Sequence, residues 1–149
     1  MDSIPIHSAS IEKSLAEGTT IVCDRYAFSG VAFSASKGLS FEWCRSPDIG
    51  VPAPDLTLFL DISPEKAKER GGYGEERYEK EEMQSRVREL FAHIAQESDG
   101  TEGWKWVTID AGRTLQEVED AIWHEVEPVL HDERSPLGQL WVSRSPTKS

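Results

Sequence analysis

Cationic residues are scarce in this chain: 16 Lys and Arg stand against 27 Asp and Glu, a net charge of −11. That balance argues against non-specific binding to nucleic acid or to anionic membranes. Any phosphate site must therefore be a local basic cluster in an acidic background. Long apolar runs are missing, and none approaches the ~18 residues that mark a membrane span. The opening MDSIPIHSAS has neither a basic nor an apolar stretch of the kind that begins a secretory signal, so none is expected. Cysteine is rare as well. Cys23 and Cys44 are neither CxxC-spaced nor part of a dense framework, which favours a reduced, intracellular protein. His7, His93, His124 and His131 lack metal-ligand spacing, and no metal site is expected.

What is present suits one soluble globular domain. The length is 149 residues, with 38% hydrophobic and 29% charged, enough to bury a real core. Residues 1–10 read as irregular. Ile11 and Leu15 ahead of Gly18 read as the last turns of a helix over 10–17. Thr19-Thr20-Ile21-Val22-Cys23-Asp24 reads as a strand buried on both faces, with Cys23 a small core residue. A helix over 25–37 follows, then a short one after Ser40. Three prolines and a glycine make 46–55 a loop. Leu56 to Ile62 reads as a second buried strand, and Ser63-Pro64 as a helix entry. Met83, Val87, Leu90, Phe91 and Ile94 recur at helical spacing, predicting a helix over about 79–97. Trp104 to Asp110 reads as a third strand. Thr114 and Glu117 form a capping box for a last helix, which Pro128 is expected to kink or end. The tail over 142–149 reads as disordered.

Strands alternating with helices point to an α/β fold with a parallel sheet. Ligands in such folds bind beyond the carboxyl ends of the strands. The informative segments are therefore those after Asp24, Ile62 and Asp110. Asp24-Arg25 places two charges at that edge. Arg25 can grip a phosphate bidentately, and Asp24 can orient it or hold a metal-bound water. Gly30 allows close approach of a ligand, and Phe33 offers an aromatic wall. An ordinary salt-bridged pair at a strand end is the competing reading. Further on, Arg70 and Arg77 bracket Gly71-Gly72-Tyr73-Gly74. A mobile segment with arginines can close over phosphates and neutralise developing charge. A solvated charged loop between two helices is the alternative.

Together these segments resemble the eukaryotic thymidylate kinases, the dTMP kinases of the P-loop nucleoside-monophosphate kinase group. The resemblance rests on Asp24-Arg25-Tyr26-Ala27-Phe28-Ser29-Gly30-Val31-Ala32-Phe33, on Trp43-Cys44, and on Pro47 to Pro52. Pro54 to Leu60, Arg70, Gly74, Glu76-Arg77-Tyr78-Glu79 and Val107 to Ala111 extend it. It covers about residues 11–141. It implies a three-layer α/β/α fold of the P-loop NTPase type, incomplete, with about three of five strands present.

The implied reaction converts ATP and dTMP to ADP and dTDP with Mg²⁺, in a cytoplasmic and also nuclear protein that forms a homodimer. By position, Arg25 resembles the arginine that binds the dTMP phosphate, and Asp24 the acidic partner near the phosphates and metal. Gly30, Phe33 and Tyr78 resemble parts of the nucleoside pocket. Arg70 and Arg77 resemble the two ends of the lid. Ala111, Gly112 and Arg113 resemble the adenine-contacting loop.

The pattern departs from the family in one respect. No GxxxxGK[ST] occurs in the 149 residues, so the phosphate cradle, its lysine and its metal-binding hydroxyl are absent. The family's opening third, with the residues that read thymine, has no counterpart. The family's P-loop strand lies between the strands matching 19–24 and 56–62, and its loss strands their backbone groups. Each buried unpaired group costs roughly 1–3 kcal/mol. The expectation is an incomplete gene model, splice form or fragment with impaired kinase activity. The rival reading is a non-catalytic, pseudokinase-like dimerisation module. Another nucleotide kinase of the same fold is a third.

Overall fold

The computed structural model of the chain describes residues 4–70, 78–97, 104–132 and 136–142. Helix α1 spans Ile4–Ala16, α2 Ala27–Ser36 and α3 Phe41–Arg45, and a 3₁₀ turn covers Ser46–Asp48. Strand β1 (Leu56–Asp61) leads to α4 (Pro64–Glu69) and α5 (Tyr78–Glu97). Strand β2 (Lys105–Asp110) leads to α6 (Leu115–Leu130). β1 and β2 pair in parallel, Leu56 against Lys105 through Asp61 against Asp110. Their carboxyl ends are thus level, and the segments after Asp61 and Asp110 leave the same edge.

This is an α/β architecture with a parallel sheet, as expected, but the described sheet has two strands. The predicted strand over 19–24 forms no ladder. Its residues have strand propensity, yet a strand needs a hydrogen-bonded neighbour, and propensity does not supply one. Val22 is 92% exposed, and Cys23 lies at the surface rather than in the core. At the other end of the first segment, α1 begins at Ile4, inside the stretch read as irregular. Pro5 sits in its first turn, where a missing N–H costs nothing. Gly18, at φ 81°, follows its end.

The core is aromatic. Trp104, Ile94, Leu140 and Val31 are almost wholly buried. Phe28 stacks on Trp104 at 5.0 Å and meets Trp106 and Trp141 edge-on. Val87 and Ile94 of α5 are buried with Val31 and Ala32 of α2 in this cluster, so the helical spacing read from the sequence marks the buried face. The chain then returns over the proline-rich loop. Gly50 N–H donates to the Leu140 carbonyl at 2.9 Å, Leu140 N–H to Val51 at 2.9 Å, and Ala53 N–H to Gly138 at 2.8 Å. This buries Leu140 and Trp141 under residues 50–53.

Caps fix the helix starts as the sequence indicates. Ser63 accepts from the Lys66 amide ahead of α4, and Thr114 and Glu117 make a reciprocal capping box for α6. Pro128 lies within α6, which continues to Leu130. Near a helix's last turn the lost N–H bond is tolerated, so the proline does not end the helix. None of the residues of α6 is buried, and Leu115 and Trp123 are exposed.

Candidate functional site

Two groups of side chains meet the requirements set by the sequence. The first lies where the 19–24 segment enters α2. Arg25 has φ 65°, a left-handed conformation that residues with a Cβ rarely adopt. Such conformations persist where the surroundings enforce them, and they cluster at binding and catalytic sites. The Arg25 guanidinium lies over the Phe33 ring, 5.8 Å from its centroid, a cation–π contact. One helical turn before Phe33, Gly30 is exposed, and a Cβ built on it would meet nothing within 4 Å. A mid-helix glycine costs roughly 0.5–1 kcal/mol relative to alanine. Packing among the described residues gives no reason for that cost, so the open space is the notable feature. Asp24 is exposed beside Arg25.

Tyr26, the residue before α2, anchors this group. Its hydroxyl donates to the Pro52 carbonyl at 3.0 Å. Burial first, and then the negative charges of Cys23, Asp48 and Glu12, push that hydroxyl up to about 12 from 10.0. A pKa raised on folding contributes stability that is present below the unfolded value and lost as pH rises through the folded one. Urea unfolding of the wild type is therefore expected to weaken between pH 10 and about 12. Tyr26→Phe should lose that component of the slope, and identical slopes in the two proteins would count against the burial of this hydroxyl.

The second group lies at the carboxyl edge of the sheet. Ala111 N–H donates to the Asp61 carbonyl at 2.7 Å, and the chain then turns. Asp110 accepts from the Gly112 amide at 2.8 Å and from Arg113 Nε at 3.4 Å. The Gly112 amide first, then Arg113 and Lys66, hold the Asp110 carboxyl below its ordinary range. Lys66 Nζ of α4 donates to the Gly112 carbonyl at 3.1 Å, and Arg70, the residue after α4, to the Arg113 carbonyl at 2.9 Å. Two cations, Lys66 and Arg113, thus act on one carboxylate, and a third, Arg70, holds the Arg113 carbonyl beside it. Lys68 ties α4 to α5 through Glu81 at 3.0 Å. Arg88 of α5 pairs with Asp61 at 2.7 Å, at the polar end of a concavity of about 420 Å³ floored by Phe59, Phe91 and Trp106.

The structure brings Arg25 to Phe33, and Arg70 to Arg113. No hydrogen bond or ion pair among the described residues joins the two groups. Arg77 and the Gly71–Gly74 stretch lie outside the described residues, and Tyr78 opens α5. Lys66 was not singled out by sequence reading. Its available signal was the four-residue spacing to Arg70 on a short helix that directly follows a strand. Among the described residues, no three of His, Cys, Asp and Glu could hold a metal ion together. No helix among them is long and apolar enough to cross a membrane.

A family model for thymidylate kinase matches residues 2–122. The chain belongs to the thymidylate kinase family. It is 46% identical over 135 residues to a thymidylate kinase of Arabidopsis thaliana, covering 89% of this chain and 49% of that one. A Schizosaccharomyces pombe thymidylate kinase is 50% identical over 112 residues, covering 75% and 53%. The human thymidylate kinase is 41% identical over 133 residues, covering 88% and 61%. The thymidylate kinase of Candida albicans, whose structure is described as revealing the origin of that enzyme's broad substrate specificity, superposes with a TM-score of 0.70. That match has 30% identity and covers 89% of this chain and 66% of that one. The chain therefore has the P-loop NTPase fold of thymidylate kinases in incomplete form. It spans about half to three-fifths of the length of these curated relatives.

Proposed function

We propose that this chain carries the dTMP-binding side of a dTMP kinase, the enzyme that transfers the ATP γ-phosphate to dTMP to give dTDP for dTTP synthesis. The carrying observation is Arg25, held in a left-handed conformation over Phe33 beside an exposed, unpacked Gly30. In this reading Arg25 grips the dTMP phosphate and Asp24 orients it. Gly30 lets the nucleoside approach, and Phe33 and Tyr78 wall its pocket. Arg70 and Arg77 begin and end the lid on the ATP side, and Ala111, Gly112 and Arg113 contact the adenine. Catalysis in this group is positioning and charge neutralisation rather than covalent chemistry. The Mg²⁺ that accompanies ATP finds no side-chain cage among the described residues, and no step here runs through it.

The 149 residues contain no GxxxxGK[ST], so the chain by itself is an impaired kinase. A non-catalytic, dimer-forming module is the second reading. The two-stranded sheet among the described residues and the exposure of Val22 and of Leu60 in β1 favour it, since exposed apolar side chains suit association with another chain. Helix α2 is the proposed contact of a homodimer.

Calorimetric titration with dTMP tests the nucleotide reading. A hydrogen bond to a charged group is worth about 1.5–3 kcal/mol, so Arg25→Ala is expected to weaken dTMP binding by about 10–100-fold. Unchanged affinity, or a folded wild type that does not bind dTMP, would remove the assignment.

A further inference from the structure

We propose that Lys66 is a positioning residue, which with Arg70 straps the 111–113 loop to the helix at the base of the lid and so shapes the nucleotide-contacting surface. The proposal rests on the reading of that loop as the adenine contact. Lys66 lies in α4 and Arg70, four residues on, is the residue that caps its carboxyl end, a spacing that sets the two side chains on one side of the helix. They donate to two successive carbonyls, Gly112 and Arg113. Beneath the loop, Asp110 takes the Gly112 amide and the Arg113 guanidinium. The Ala111 amide is committed to Asp61, and the Thr114 amide to Glu117 at 2.9 Å. The amides at 111, 112 and 114 are thus held by β1, by the end of β2 and by the first turn of α6. The carbonyls of 112 and 113 are held by Lys66 of α4 and by Arg70, which caps it.

Lys66 is seated closely. A Cβ at Gly112 would lie 2.6 Å from the Lys66 Cδ, 2.9 Å from its Nζ and 3.0 Å from Asp110 Oδ1. Gly112 does not adopt a positive φ, so a side chain added there would act by displacing the end of the lysine that crosses it rather than by straining the backbone. Anchoring the loop to α4 also fixes the spacing between the loop and Arg70. A loop whose position depends on a lysine of α4 would transmit a shift of that helix to the bound base.

The test titrates ADP into the full chain and follows the backbone NMR signals of residues 111–114. The proteins are wild type, Lys66→Met, Lys66→Arg, Gly112→Ala and, as a control, Lys105→Met, whose lysine pairs with Glu125 at the opposite end of β2. Lys66→Met and Gly112→Ala are expected to bind ADP about tenfold more weakly. Lys66→Arg should return to within about threefold of wild type, since it keeps the donor and the charge. Wild-type affinity in Lys66→Met, or failure of the arginine to rescue, overturns the proposal. If the wild type itself shows no ADP response, the adenine reading of the loop fails, and the strap is judged on amide exchange. Exchange at Gly112 should then be about tenfold faster in Lys66→Met than in wild type and unchanged in Lys105→Met. Equal rates in all three overturn the strap.

Discussion

Replacing Trp104 with alanine is expected to leave the chain largely unfolded at 37 °C. Trp104 is 2% exposed and lies at the centre of the aromatic cluster, stacked on Phe28 at 5.0 Å and edge-on to Trp106 at 6.3 Å. Truncating a buried Phe or Trp to alanine costs about 3–5 kcal/mol, against a whole-domain stability of about 5–15 kcal/mol. Here the margin is thin for a structural reason. Among the described residues the sheet has two strands, α6 has no buried residue, and Leu60 in β1 is half exposed. The cluster joining α2, α5, β2 and the 138–141 return carries most of the burial. Urea denaturation followed by circular dichroism measures this directly. The expected result is loss of the cooperative transition or a midpoint shift equivalent to at least about 3 kcal/mol. A loss under about 1 kcal/mol would mean that the fold is held elsewhere.

Legibility in the sequence followed the range of the interactions. Helix α5 could be read because its buried face repeats every three to four residues, and Val87 and Ile94 are buried as that repeat requires. The starts of α4 and α6 could be read because caps are local: Ser63 and Thr114 bond to amides three residues on. The 19–24 segment failed for the complementary reason. Its β propensity is local, but a ladder depends on a neighbouring strand from elsewhere in a chain, and among the described residues none lies against it. The burial of Leu140 and Trp141 depends on residues 50–53, about ninety positions away, which no local pattern announces.

The site divides in the same way. Asp24, Arg25, Gly30 and Phe33 lie within ten residues, and the structure puts the Arg25 charge on the Phe33 ring. Arg70 and the 111–113 loop are brought together only by the parallel register of β1 and β2. Lys66 acquires its partner by the same route, and its spacing to Arg70 alone does not say which carbonyl it meets.

The second large effect concerns turnover. In phosphoryl-transfer enzymes of the P-loop type, a backbone loop and its lysine cradle the transferred phosphates, and a single arginine supplied to that group changes rates by about 10³–10⁵. Losing the cradle should cost at least as much. Purified chain given ATP, dTMP and Mg²⁺ is therefore expected to release ADP at least about 10³-fold more slowly than a full-length relative. Slow turnover alone would also follow from a misfolded preparation, so the comparison requires a chain shown by circular dichroism to unfold cooperatively.

The most direct measurement of the central claim is coupled ADP release from two proteins side by side. One is the chain alone. The other is the chain preceded by the GxxxxGK[ST]-bearing portion of a thymidylate kinase relative. The account predicts negligible dTMP-dependent release from the first and family-like release from the second, abolished by Arg25→Ala. Full turnover by the chain alone, or a folded fusion that still leaves dTMP unphosphorylated, would contradict it.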